Sequence, residues 1–205
     1  MQPVPGLRER KKHDTRQRIV RVALELFATR GFDGTTVADI AAAADISPRT
    51  FFGYFAAKED VVFHGDAELL AGLAERLRAR EPGEDAFDAL RAWVRGVEKD
   101  RSFEGPDERL RRQLIRATPA LEARERTNLA HVEELLAEAV AADLGDDGDS
   151  LRPHLVAAAA VAGLTAISRV RDAAANPAST PSSDAVLDEA MTFLQGGLAA
   201  LRRRD

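Results

Sequence analysis

Two helix-start signals stand eleven residues apart in this chain: Thr36-Val37-Ala38-Asp39 and Ser47-Pro48. In the first, the Thr36 hydroxyl can cap a helix while the Asp39 carboxylate reaches back to the Thr36 N–H. In the second, Ser47 is the cap and Pro48 takes the first helical position, where a missing N–H costs nothing. A helix confined between them has room for about two turns, and the chain must bend at Asp45-Ile46 before the next one begins. A longer helix precedes both. It is predicted from Asp14, with Gln17 at the capping-box spacing, and Gly31 ends it. Its apolar residues Ile19, Val22, Ala23, Leu26 and Phe27 recur every three to four positions. One longer helix followed by two short ones across a tight turn is a helix-turn-helix layout.

The third helix carries Phe51, Phe52, Tyr54 and Phe55, in a chain with 9 Phe and 1 Tyr. A module of about 45 residues has little surface to bury, so large rings must supply its core. Phe51 and Phe55, at i and i+4, are expected to face the first helix, with Phe52 half-buried beside them and Ile46 stapled to Phe51. The other face keeps Arg49, Thr50, Gly53 and Tyr54. Arg49 lies near the end of the helix that would point at base edges, where a guanidinium can take a guanine bidentately. Thr50 and Tyr54 offer hydroxyls to phosphates, Gly53 permits close backbone approach, and Lys58 adds a cation at the next helix start.

Charge is uneven along the chain. The net charge is -5, yet residues 1–60 hold 10 Lys and Arg against 8 Asp and Glu. Lys11, Lys12 and Arg16 belong to a basic run of six cations in the first twenty residues. A basic start on an acidic body fits a phosphate backbone. The candidate DNA-binding set is therefore Lys11, Lys12, Arg16, Thr36, Ser47, Arg49, Thr50, Gly53, Tyr54 and Lys58.

The fold class is all-α, because Ala, Leu, Arg and Glu dominate and strand-like alternation is absent. Beyond the three-helix part, six helices are expected: Lys58 to Arg80, Glu84 to Asp100, Asp107 to Thr118, Pro119 to Leu144, Leu151 to Ala175 and Asp184 to Arg203. Domains are set at 1–60 and 61–205. The last two helices are rich in small and apolar residues, and Ala158, Val161, Ala162, Val186, Ala190, Phe193 and Leu194 are expected to form a homodimer interface. An effector pocket is expected among the central helices, with Phe63, Phe87, Trp93, Phe103 and Leu114 as walls and Arg91, Arg112 and Thr118 as polar anchors.

The run "TRQRIVRVALELFATRGFDGTTVADIAAAADISPRTFFGYFAAKEDVV" resembles the N-terminal domain of the TetR family of transcriptional regulators. The resemblance implies a helical ligand-binding domain in the remainder, dimerising through its last two helices, and a palindromic operator as the DNA partner. Three positions depart from the family pattern. Asp45 stands where Gly is usual, Phe52 where Tyr is usual, and Ala38 where some members place a base-reading Arg. The departures shift the expected readout onto the third helix and the basic start. "RTFFGYF" and "IRATPALEA" further resemble regulators of the mycofactocin type, which implies an acyl-CoA-like effector.

Other chemistries find no constellation. His13, His64, His131 and His154 have no ligand spacing, so no metal is expected. "DLGDDGDS" lacks the closing Glu of a calcium loop, since position 154 is His154. No G-x-S-x-G, P-loop or dinucleotide fingerprint occurs, so neither an enzyme nor a cofactor is expected. The chain has no Cys, no apolar leader and no long uncharged apolar run, which sets the expectation of a cytoplasmic protein with no membrane partner. The leading expectation is a repressor released from DNA by a small molecule. The alternative is an all-helical small-molecule carrier or an adaptor in which the helix-turn-helix is structural.

Overall fold

The computed structural model describes residues 6–100, 106–147, 150–173 and 183–202, and within them only helices and their connections. These are α1 (Leu7–Arg30), α2 (Val37–Ala43), α3 (Pro48–Phe52), α4 (Lys58–Val62), α5 (Asp66–Arg78), α6 (Ala86–Asp100), α7 (Pro106–Ala117), α8 (Pro119–Leu144), α9 (Leu151–Ala173) and α10 (Ser183–Arg202). They fall into two compact units, one of residues 1–66 with 103–125, the other of 67–102 with 126–205.

In the first unit both short helices start where the side chains dictate. The Asp39 N–H donates to Thr36 Oγ1 at 3.2 Å, and the Thr36 N–H donates to the Asp39 carboxylate at 2.9 Å. The Thr50 N–H donates to Ser47 Oγ at 3.0 Å. Between the two helices Asp45 takes φ +54°, alone among the described non-glycine residues. That left-handed step lets the Ile46 N–H reach the Ala41 carbonyl at 2.9 Å and the Asp45 N–H the Ala42 carbonyl at 3.2 Å. These are the two closing bonds of a Schellman C-cap, made here with Asp in place of the usual Gly.

Phe51, Phe27, Ile19 and Ile40 are fully enclosed in this unit's core. Phe51 alone contributes about 1.5–3 kcal/mol by leaving water. The core also takes Leu114 and Ile115 from α7 and Leu121 from α8, so α7 packs on α1 although it lies far along the chain. Phe52 is not half-buried as expected. It is 56% exposed, because the core-facing arc of so short a helix is filled by Phe51, with Phe55 just beyond its end.

Two helix boundaries differ from the sequence expectation. α1 begins at Leu7 rather than Asp14, and the Glu9 carboxylate accepts from the Gly6 N–H at 3.3 Å at its start. The expected helix from Lys58 to Arg80 is two helices. Gly65, at φ +89°, breaks it after Phe63, whose carbonyl accepts from the Asp66 N–H at 3.2 Å. The described residues therefore form ten helices where nine are expected.

In the second unit α10 packs on α9 and α6. Leu73, Phe87, Leu90, Leu136, Val140, Met191 and Leu198 form its interior. Polar links fix the register of α6 against α10. Arg95 pairs with Asp188 at 2.8 Å, and Gln195 accepts from Arg91 at 2.9 Å while donating to Asp88 at 2.8 Å. Within the same unit the Ala86 N–H donates to Asp143 at 2.7 Å, tying the start of α6 to α8. The segment Leu151–Arg169 of α9 is long and apolar enough to cross a membrane by length and composition, and only 22% of it is buried in the chain.

Candidate nucleic-acid interface

α3 buries Phe51 and exposes Arg49, Thr50, Phe52 and Gly53. Beside it runs the basic first part of α1. Arg8, Glu9, Lys11, Lys12 and Thr15 line one hollow with Thr50, Gly53 and Tyr54. Thus five of the candidate residues, Lys11, Lys12, Thr50, Gly53 and Tyr54, meet on one surface, and the helical start of α1 positions the two lysines there. Arg8, one of the six cations of the basic run but not in the candidate set, joins them. Its signal is the i, i+3, i+4 spacing of Arg8, Lys11 and Lys12, which becomes one face only once the helix extends back to Leu7.

Of the other candidates, Arg49 is exposed on α3 and four are bonded within the unit. Ser47 Oγ lies 2.8 Å from Thr50 Oγ1, so the cap also orients the Thr50 hydroxyl. Thr36 is bonded to Asp39 through both its hydroxyl and its N–H. Those bonds, ahead of the Arg30 guanidinium 3.6 Å away, keep the Asp39 carboxyl below its ordinary value. Arg16 is turned toward the end of α3, donating to the Tyr54 carbonyl at 3.4 Å with its guanidinium 5.6 Å from the Phe55 ring centre. Lys58 was expected on a phosphate. In the structure its ammonium donates to the carbonyls of Phe32 at 2.7 Å and Thr35 at 2.9 Å in the loop after α1, the first of which also accepts from the Thr35 N–H at 3.3 Å.

The expected effector residues do not gather. Phe63 and Leu114 belong to the core of the first unit, while Phe87 is fully enclosed in the second and Trp93 packs against that core. Trp93 Nε1 stands 3.5 Å from where a Cβ on Gly72 would lie, so α5 meets α6 there. Arg91 is engaged with Gln195 and with Asp188, and Arg112 with Glu108 at 3.4 Å. Thr118 ends the turn before α8, its carbonyl accepting from the Glu122 N–H at 2.9 Å. Phe103 lies outside the described residues. Rings at helical spacing became plain core, and the arginines became ties between and along helices.

A hollow of about 550 Å³ does open in the second unit. Ala67, Leu70, Ala71, Ala74 and Arg78 of α5 form one side, and His131, Glu134, Leu135 and Glu138 of α8 the other. None of the seven expected residues that are described lines it. The sequence signal was the alanine stripe at 67, 71 and 74, whose missing side chains leave the space.

Of the expected dimer residues, Val161 and Leu194 are turned into the second unit's own core. Ala162 is exposed, Phe193 is 78% exposed, and Ala158, Val186 and Ala190 are partly covered. Leu151 and Leu155, not named from sequence, are 71% and 59% exposed on α9.

The comparisons with known proteins agree with this geometry. Residues 19–64 match the family model described as bacterial regulatory proteins, tetR family, and residues 84–199 match the MftR C-terminal domain. The transcriptional regulator TcmR of Streptomyces glaucescens is 37% identical over 161 residues, covering 75% of this chain and 71% of TcmR. The proposed mycofactocin biosynthesis regulator MftR of Mycobacterium tuberculosis is 34% identical over 148 residues, covering 72% of this chain and 75% of that protein. Among solved structures, the TetR-family repressor FadR of Thermus thermophilus, in complex with lauroyl-CoA, is 30% identical with a TM-score of 0.54, covering 89% of this chain and 94% of FadR. The chain, with its exposed α3 beside a basic α1, belongs to the TetR family: it is a DNA-binding transcriptional regulator with an MftR-type C-terminal domain, not an enzyme.

Proposed function

We propose that this regulator is a repressor that binds a palindromic operator as a homodimer and is released when an acyl-CoA-like molecule occupies its second unit. Residues 1–60 are assigned to DNA binding and residues 61–205 to effector binding and dimerisation. Arg49, Thr50, Gly53, Tyr54, Lys11 and Lys12 are the contacts to DNA, with Thr36, Ser47, Arg16 and Lys58 holding the elements that present them. A protein with this task works where the DNA is, in the cytoplasm.

The observation that carries the ligand-responsive half is the hollow between α5 and α8. Its volume lies in the range of small-molecule sites, and its Ala and Leu walls suit an acyl chain, with Arg78 as a cation at the rim. The lauroyl-CoA bound by FadR, a relative of similar length, supports the same ligand class.

The dimer reading rests on α9 and α10. Leu151, Leu155, Ala159, Ala162 and Ala166 are exposed at the spacing of one helix face, and Phe193 is exposed on α10. An apolar face of this kind is what a self-complementary twofold interface covers. Two recognition helices then meet half-sites about 34–36 Å apart.

The test is a mobility shift on the DNA flanking the protein's own gene, with and without lauroyl-CoA. Retardation that the compound reverses is the expected result. The compound must lower operator affinity by the factor by which operator DNA lowers affinity for the compound. Tight binding of lauroyl-CoA with unchanged operator affinity removes it as the effector.

A further inference from the structure

We propose that Phe52 reads the 5-methyl group of a thymine in the operator, an assignment that rests on the DNA-binding role of α3. Phe52 is 56% exposed, although the unit that carries it is short of apolar surface and buries Phe51 and Phe55. A single exposed ring is ordinary on a protein surface. What distinguishes this one is its place beside Arg49 on α3 and its edge contact with the enclosed Phe51 ring.

α3 presents two adjacent strips. Thr50, Gly53 and Tyr54 face the hollow shared with Arg8, Lys11 and Lys12. That strip has the cations and hydroxyls that suit a phosphate backbone. Arg49 and Phe52 each lie one residue back, about 100° round the helix. They are neighbours at i and i+3, both exposed, and neither lines the basic hollow. If the first strip tracks the backbone, the second is turned toward the base edges beside it.

The chemistry of the second strip then divides cleanly. Arg49 has donors that match a guanine edge. Phe52 has neither donor nor acceptor, so it gains nothing from a phosphate or from a polar base edge. The thymine methyl is the apolar group that the major groove displays. The ring is also held in advance of binding. It meets the enclosed Phe51 ring edge-on, with centres 5.6 Å apart and planes at 89°. A pre-set ring loses little freedom when it covers a methyl group.

The experiment uses the full-length protein. Its preferred site is first selected from randomised duplex DNA, and each thymine in that site is then replaced singly by deoxyuridine, which removes only the methyl group. The expected result is one thymine position per half-site at which the wild type loses about fourfold in affinity, the equivalent of one buried methyl group. Phe52→Ala should bind the thymine and uracil versions equally, while Phe52→Tyr, which keeps the ring, should retain the preference. Both variants are checked for an unchanged melting temperature, as expected for an exposed side chain. Wild-type indifference to uracil at every thymine overturns the proposal, as does a preference that survives in Phe52→Ala, since another group then reads the methyl. Failure to select any sequence overturns the DNA-reading role of α3 itself, a result separate from the loss of methyl recognition alone.

Discussion

The ammonium of Lys58 sits 4.4 Å from the centre of the Phe32 ring and donates to the carbonyl oxygen of the same residue at 2.7 Å. A second bond, to the Thr35 carbonyl at 2.9 Å, completes a clamp between the start of α4 and the loop joining α1 to α2. Phe32 in turn packs on Phe27 with ring centres 4.9 Å apart, so the clamp reaches into the core. Lys58 thereby fixes the entry to α2, and through it the turn that presents α3.

Replacing Lys58 by Met keeps the stem and deletes the charge. Two carbonyls lose the Lys58 donor, although that of Phe32 keeps the Thr35 N–H, and charged hydrogen bonds of this kind are worth about 1.5–3 kcal/mol each in net terms. The expected loss is about 3 kcal/mol, the low end for two such bonds because Lys58 is only half-buried, in a urea titration of the whole chain, with helix content unchanged below the transition. Stability equal to wild type would show that the clamp is incidental.

Much of the first unit could be read from local chemistry. Thr36, Asp39, Ser47 and Pro48 act on groups within three residues of themselves, so their spacing was sufficient evidence. The start of α1 was not legible, because Gly6 has no capping oxygen and Asp14 with Gln17 mimics a start inside the helix. The break at Gly65 was hidden because the apolar periodicity continues across it. Facing is harder still on α9, where alanine runs from 157 to 160 and no polar residue falls between His154 and Thr165. Val161 on that helix is expected outward and is core, while Leu151 and Leu155 are exposed; Leu194, on α10, is core because it shares a face with Leu187, Met191 and Leu198. The expected effector residues do not gather for a related reason: large rings pack into cores, whereas the hollow opens where α5 carries Ala67, Ala71 and Ala74 beside Leu70 and Arg78.

Lys11 and Lys12 lie on the surface shared with Thr50, Gly53 and Tyr54, whereas Arg49 does not line that hollow. Changing both to Ala should weaken binding to all DNA sequences alike. The logarithmic salt slope should fall by up to about 1.8, the share of two phosphate contacts. Arg49→Ala should behave differently, relaxing preference at one base position per half-site at a cost of about 1–3 kcal/mol. Binding titrations across a salt series separate the two patterns, and an unchanged slope in the double variant would place the lysines off the DNA.

Phe193 and Leu155 are exposed on adjacent helices of the second unit, so charging them costs that unit little. Phe193→Asp and Leu155→Asp should each yield a monomer by analytical ultracentrifugation at micromolar concentration, against a dimer for wild type. Operator affinity should fall with dimerisation, since one unit then spans one half-site. A wild-type chain that is monomeric under the same conditions would dispose of the twofold interface.

The last prediction concerns a knot of charge in the first unit. Arg111 on α7 donates to Glu108 at 3.1 Å and to the Val62 carbonyl at 3.3 Å, and stands 3.8 Å from Asp66 at the start of α5. Glu125 on α8 faces the same group. Its carboxyl is raised above the ordinary value, first by burial, and the neighbouring Asp66 and Glu108 carboxylates add to the rise while Arg111 opposes it. A carboxyl raised on folding stabilises most when protonated, below its unfolded value of about 4.3, and that contribution is lost as pH climbs through the folded value. At neutral pH the Glu125 charge is therefore a burden on the fold. Glu125→Gln should raise the melting temperature at pH 7, and the gain should shrink as pH is lowered towards 4, where Glu125 carries its own proton. Asp66 and Glu108 remain to balance Arg111 in the variant, so the guanidinium is not left unpaired. A loss of stability at pH 7 on this substitution would mean that the attraction of Arg111 outweighs burial.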